Sequence, residues 1–264
     1  MAIRSLGRIE WYGERRGERR ARRVARAVAV GLSAVVALPV GGAAAHAGAA
    51  PGASAPALSA PEFRMFSSEL RIGDSGAEVE RLQQRLIDLG YWLDAADGEF
   101  GGHTLHAVWA LQKAAGIDRD GIVGPVTRKA LDDGVRPRAQ STSGDVVEID
   151  LERQLLLVVS DGEVEKIFTT STGSGKTYES QGEERVAVTP KGRYTVFRDV
   201  DAWDPGPLGS LYRPKYFNRG IAIHGYTSVP PHPASHGCAR VSVKAMDWLW
   251  SSGRLDIHST VLVW

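Results

Sequence analysis

At 264 residues, with 43% hydrophobic and 24% charged residues, the chain can bury a core and build one or two domains, which excludes a disordered protein and a multi-span membrane protein. The formal net charge of +1 hides an asymmetry: nine of the 32 basic residues and three of the 31 acidic ones lie before residue 48. Without that segment the balance is 23 basic against 28 acidic, or −5, and no nucleic-acid footprint survives.

The first 47 residues have the order of a secretory signal. Arg15, Arg16, Arg19, Arg20, Arg22, Arg23 and Arg26 precede an apolar run over residues 27–40, and small residues end in Ala45-His46-Ala47. This predicts a signal peptide over 1–47, cleavage after Ala47, and a protein exported to the cell wall or the outer side of the cytoplasmic membrane. If uncleaved, the same run approaches spanning length and becomes the single membrane anchor. Arg22-Arg23 lacks a good twin-arginine context, and no cysteine stands near the cleavage site to carry a lipid.

Residues 48–66 are rich in Ala, Pro, Ser and Gly and read as a mobile tether. Then the pattern changes. Val79, Leu82, Gln83, Leu86 and Leu89 recur at helical spacing before Gly90, and Ala107, Val108, Leu111 and Gln112 do so before Gly116. Asp97-Gly98-Glu99-Phe100-Gly101-Gly102-His103-Thr104 and Asp120-Gly121-Ile122-Val123-Gly124-Pro125-Val126-Thr127 form a weak internal repeat, each copy a turn leading into a helix. Asp-Gly allows positive φ, the apolar residue anchors the turn, and the second Gly opens the helix, with Pro125 at its first position. A three-helix bundle over 67–134 is predicted. Through Gly73, Gly76, Val79, Leu82-Gln83, Leu86, Gly90-Tyr91, both Asp-Gly turns and Gly124-Pro125-Val126-Thr127, it resembles the peptidoglycan-binding type 1 domain. That resemblance implies a groove for cell-wall peptide or glycan; a bundle of this size also serves as a spacer. Tyr91, Trp92 and Trp109 are either groove residues or core.

Residues 135–144 read as a second short linker. From Asp145 the period becomes two: Val147, Ile149 and Leu151 alternate with polar residues, residues 155–159 form a denser apolar run, and Asp161-Gly162 joins that run to residues 164–170 as a hairpin. Gly173-Ser174-Gly175-Lys176-Thr177 imitates the end of a phosphate-binding loop, but Thr170 stands where that loop needs Gly and no helical pattern follows. It reads instead as a flexible loop at the mouth of a site. Strand character continues over 194–198, an aromatic and proline-rich stretch follows (Trp203, Tyr212, Tyr216, Phe217), and these aromatics either pack or floor a cleft. Ser242 is placed to cap a short helix carrying Met246, Leu249 and Trp250, Gly253 ends it, and residues 260–264 form a last strand.

Residues 221–240, IAIHGYTSVPPHPASHGCAR, concentrate the reactive groups and hold the single cysteine. A thiol attacks as thiolate, and His224, closing the alternating run of Ile221 and Ile223, is a base to take its proton. Gly237 lets backbone approach the attacked group, so that N–H groups of His236, Gly237 and Cys238 are candidates to converge on an oxyanion. In an exported chain a lone cysteine has no intramolecular disulfide partner and remains a free thiol. Other readings are a buried hydrophobic Cys238, and a zinc site from His224, His232, His236 and Cys238; His232 itself reads as a loop residue.

His224-Gly225 followed by Ser235-His236-Gly237-Cys238-x-Arg240 resembles the signature of the L,D-transpeptidases (YkuD-like catalytic domain). Asp150-Leu151-Glu152-Arg153-Gln154-Leu155, Ser171-Thr172-Gly173 and Thr189-Pro190-x-Gly192 extend the likeness. The resemblance implies an α+β protein, a helical wall-binding bundle followed by a mostly β catalytic domain over 145–264. It makes Cys238 the nucleophile and His224 its base, Ser235, His236 and Gly237 the oxyanion and acceptor region, and Arg240 with Gly225 substrate contacts. Gly225 offers no side chain, so a backbone carbonyl is expected to hold the imidazole. The implied partners are peptidoglycan stem peptides, used by a monomer without metal or organic cofactor, in cross-linking or, with water as acceptor, in trimming. The interval from His224 to Ser235 is shorter than in many members, which bears on the acceptor-side loop. A zinc-dependent wall peptidase and a non-catalytic wall anchor are the rival classes.

Overall fold

Among residues 69–264, which the computed structural model describes, four short helices and three sheets are formed, the smallest sheet being the β-hairpin at residues 177–186. The predicted signal peptide (1–47) and tether (48–66) lie outside the described residues. Helices α1 (Ala77–Asp88), α2 (Gly102–Ala115) and α3 (Pro125–Asp132) form the bundle foreseen from the repeat, with Pro125 in the first turn of α3. Each repeat is locked the same way by a buried glutamine. Gln83 Nε2 donates to Asp97 Oδ1 (2.7 Å) and Thr104 Oγ1 (2.9 Å) while its Oε1 accepts from Gly98 N–H (2.8 Å). Gln112 repeats this with Asp120 (2.7 Å), Thr127 (3.1 Å) and Gly121 (2.9 Å). The positive φ of each turn falls on Gly98 and Gly121, both at 75°.

The remainder is built from β1 (Asp145–Asp150), β2 (Leu155–Ser160), β3 (Glu163–Thr169), β4 (Thr177–Ser180), β5 (Glu183–Val186), β6 (Gly192–Thr195), β7 (Arg198–Asp199), β8 (Trp203–Gly206), β9 (Gly209–Asn218), β10 (Ile221–Tyr226), β11 (Ala239–Ser242), α4 (Val243–Ser251) and β12 (Thr260–Val263). One sheet runs β3-β2-β1-β12-β6; the other runs β11-β10-β9-β7 with β8 paired to β9. The last strand, β12, sits inside the first sheet, parallel to β1. The strand expected through Arg198 breaks at Val196 and Phe197, whose N–H groups turn to Ser259 and Tyr216, so the chain passes from one sheet to the other.

The dense apolar run of β2 is explained by burial on both faces. Leu155, Leu157 and Val159, with Val164 and Ile167 of β3, join the core made by Leu82, Leu86, Val108 and Leu111 of the helices. Leu156 and Val158 face the other way, into a second core with Val147, Ile223, Val241, Met246 and Leu249. The helical bundle thus closes one face of the first sheet, and both lie in one compact unit. Tyr91 and Trp92 belong to these cores at 0% and 7% exposure and are not groove residues. The chain at Gly90 and Trp92 also pairs with edge strand β3 through Ile167, by two bonds of 2.9 Å.

Residues 135–144, read as a linker, are a fastened strap. Tyr91 Oη donates to Val135 O (2.7 Å), and the Arg136 guanidinium donates to Val164 O. The fully buried Glu148 carboxylate accepts from Gln140 N–H (3.0 Å), from Ser141 N–H (2.7 Å) and hydroxyl (2.5 Å), and from Trp264 Nε1 (3.3 Å). Burying a carboxylate is costly unless it is hydrogen-bonded, and the strap supplies those bonds. Among the described residues no helix is long and apolar enough to cross a membrane.

Candidate active site

Strands β10 and β11 run parallel, with Ile223 level with Ala239 and His224 level with Arg240. Cys238 precedes Arg240 by two residues, one pleat repeat, so the thiol, the guanidinium and the imidazole share a face. All three line one cleft of about 990 Å³, together with Ser235, His236 and Gly237.

The turn before β11 is moulded on residues 170–174. Ser171 and Arg240 exchange backbone bonds of 3.2 and 3.0 Å, Thr172 O accepts from Ala234 and Ser235 N–H, and Ser174 N–H donates to Ser235 O. Within the turn the Ser235 hydroxyl accepts from Gly237 N–H (3.0 Å) and donates to Cys238 O (2.6 Å). Thr189 Oγ1 closes the far side by donating to Gly237 O (2.6 Å). Gly237 has φ 145°, and a Cβ there would lie 3.0 Å from Val188 O, so no other residue fits without strain. The Gly237 N–H foreseen as an oxyanion donor is committed to Ser235, because the hydroxyl sits inside the turn; Cys238 and His236 N–H are the remaining candidates.

His224 is 1% exposed, and its Nδ1–H donates to Gly225 O at 2.9 Å. A carbonyl can only accept, which places the proton on Nδ1 and leaves Nε2 as acceptor. Burial lowers its pKa to about 4; the Gly225 bond opposes this and the Arg240 charge adds to it. Burial also pushes the half-buried Cys238 thiol up, against smaller lowering effects of the Ala222 backbone and Arg240. The resting pair is therefore neutral imidazole and thiol. Arg240 lies over the Tyr226 ring at 4.4 Å, and its Nε is buried without a hydrogen-bond partner. Tyr226 also meets the His224 ring edge-on at 5.8 Å.

One assignment needs correction. Gly225, expected to touch substrate, faces away from the cleft: a Cβ there would lie 2.8 Å from Tyr212 and 3.1 Å from Met246 of α4. Its carbonyl orients His224 and its missing side chain admits the helix. The segment read as a flexible loop, residues 173–177, leads into the β4–β5 hairpin, which reaches the cleft through Tyr178, packed edge-on against His236 at 4.6 Å. His232 is exposed on the loop as foreseen, and among the described residues no three His, Cys, Asp or Glu side chains converge as a metal-binding group. Sequence reasoning missed Tyr178, Tyr226 and the turn-closing hydroxyl of Thr189. Tyr226 lies at i+2 from His224, the same face of its strand, and that spacing was the available signal.

The family model of the L,D-transpeptidase catalytic domain matches residues 144–260, and that of a putative peptidoglycan binding domain matches residues 75–131. The crystal structure of an L,D-transpeptidase fragment from Xylanimonas cellulosilytica is 50% identical, covers 75% of this chain and 98% of its own, and superposes with a TM-score of 0.74. The chain belongs to the L,D-transpeptidase family. It pairs that catalytic fold with a peptidoglycan-binding bundle, as expected of an enzyme of the cell wall. A probable N-acetylmuramoyl-L-alanine amidase of Bacillus licheniformis is 53% identical over 64 residues, 24% of this chain and 18% of the amidase. The amidase CwlM of Mycobacterium tuberculosis is 43% identical over 56 residues, 21% and 14% respectively. The chain thus spans less than a fifth of the length of either amidase, and this likeness concerns the binding module alone, not the transpeptidase domain.

Proposed function

We propose that this family member is an exported, cysteine-dependent L,D-transpeptidase acting on peptidoglycan stem tetrapeptides. The observation that carries the reading is a buried imidazole, its tautomer fixed by Gly225 O, on a strand paired to the one that presents Cys238 and Arg240 to the same cleft. The guanidinium charge of Arg240, a residue lining the cleft, suits a stem carboxylate.

In this reading the thiol proton passes to His224 Nε2 as Sγ attacks the carbonyl carbon of the L-to-D peptide bond. Both groups are neutral at rest, so proton transfer accompanies attack. The oxyanion is met by Cys238 N–H, with His236 N–H next to it. Collapse breaks the C–N bond, the imidazolium returns its proton to the departing D-alanine amine, and a thioester remains on Cys238. An amine of a second stem attacks that thioester, His224 takes the amine proton, and the thiol is regenerated. Export places this chemistry at the wall, and the helical module holds the chain against it.

The test is D-alanine release from a purified stem tetrapeptide with product analysis. Activity is expected to persist in chelator, to vanish on thiol alkylation and in Cys238→Ala, and to fall roughly 10²- to 10⁴-fold in His224→Ala. Chelator-sensitive activity that survives alkylation would replace this reading with a metallopeptidase. Release of D-alanine without cross-linked product would make water the acceptor.

A further inference from the structure

The side-chain amine of Lys113, near the end of α2, is fully buried. It donates to three oxygens of the catalytic domain: Gln154 O (2.9 Å), Thr169 Oγ1 (2.6 Å) and Thr170 O (2.9 Å). All three acceptors are neutral and none is a carboxylate, and burial, helped by the Arg119 charge, holds the amine well below the ordinary lysine pKa. A lysine whose only task was to join two packed surfaces would be served as well by an apolar side chain, as the neighbouring core positions are. What its acceptors hold explains the choice. Thr170 Oγ1 donates to Arg240 O (2.8 Å), and Gln154, whose carbonyl Lys113 grips, fixes Thr172 by Nε2 to Oγ1 (2.7 Å) and Oε1 to N–H (2.8 Å). Thr172 O in turn accepts the N–H groups of Ala234 and Ser235. From Lys113 to the Cys238 turn the path is an unbroken series of hydrogen bonds.

A second basic side chain of the same module reaches the same loop from its other end. Arg119, just beyond α2, donates to Pro231 O (3.1 Å), on the stretch that leads into Ser235, and to Glu152 O (3.4 Å). Two basic side chains of the binding bundle thus grip the template and the approach of the catalytic turn, and neither lines the cleft.

We infer that Lys113 and Arg119 are positioning residues through which the peptidoglycan-binding bundle sets the geometry of the Cys238 turn, making the bundle part of the catalytic apparatus as well as a wall anchor. This rests on Cys238 being the acylated group. The test is the kinetics of carbapenem acylation followed by intact mass, on the chain without its predicted signal, with thermal stability and binding to purified cell wall measured in parallel. Lys113→Met keeps the length and the apolar stem; Arg119→Gln changes a half-buried side chain outside both cores.

Each variant is expected to reach one adduct per molecule, to bind wall as the parent does, and to acylate at least tenfold more slowly for Lys113→Met and three- to tenfold more slowly for Arg119→Gln. The double variant should fall short of the product of the two effects, because both act on one turn. Parental acylation rates with only a lowered melting temperature would overturn the inference, reducing both residues to packing. If Lys113→Met does not fold, Arg119→Gln decides alone: a parental rate there is contradiction enough. A parent protein that takes no adduct would instead refute the acyl-enzyme reading.

Discussion

His224 carries the chemistry of the site through what surrounds it. Buried at 1% exposure, with Nδ1–H on Gly225 O, it stays neutral until about pH 4. Because its pKa lies below the ordinary value of 6.5, its power to accept a proton is complete at neutral pH and is lost as pH falls through about 4. The acid limb of the acylation rate is therefore expected near pH 4; a limb near 6.5 would mean that the imidazole is solvated. Cys238, His224 and Gly237 were legible as chemistry from their residue types, and Gly225 entered through the family resemblance. Which glycine did what was not: Gly225 and Gly237 look equivalent in sequence, and only the neighbours, α4 for one and Val188 O for the other, separate them.

At the scale of elements, the reactive turn is held by hydroxyls. Ser235 bridges Gly237 N–H and Cys238 O, so Ser235→Ala leaves a buried donor and a carbonyl without their partner. Acylation should slow roughly ten- to a hundredfold through misplacement of the thiol, with wall binding unaffected; an unchanged rate would show that the backbone pairing of residues 170–174 suffices. Helices and strands were readable because their periods are local: α1, α2, the β2–β3 hairpin and the Ser242 cap of α4 all follow from side chains within a few residues. Strands β8 and β9 were not, because prolines and aromatics at residues 203–217 weaken the alternation that marks a strand. The β4–β5 hairpin escaped for another reason. Its residues are mostly exposed on both faces, so no apolar period marks it.

For the whole molecule, the composition of residues 135–144 suggested a short linker between two domains, and the packing joins them. Polarity and a proline made that segment look like linker, while the groups that tie it down, Glu148, Tyr91 and Val164, lie elsewhere in the sequence. Removing the bundle would expose Leu155, Leu157, Val159, Val164 and Ile167, five apolar side chains worth about 2 kcal/mol each. That approaches the whole stability of an ordinary domain. A fragment of residues 145–264 is accordingly expected to lose fixed tertiary packing, seen as a collapsed near-ultraviolet circular dichroism signal; a cooperative melt near that of the longer chain would show the catalytic domain to be self-sufficient. The most direct test of the acyl-enzyme itself is intact mass after mixing with a carbapenem, followed by peptide mapping. A single covalent adduct on Cys238, absent in Cys238→Ala, is the predicted result; an unmodified protein, or an adduct on another residue, would contradict it.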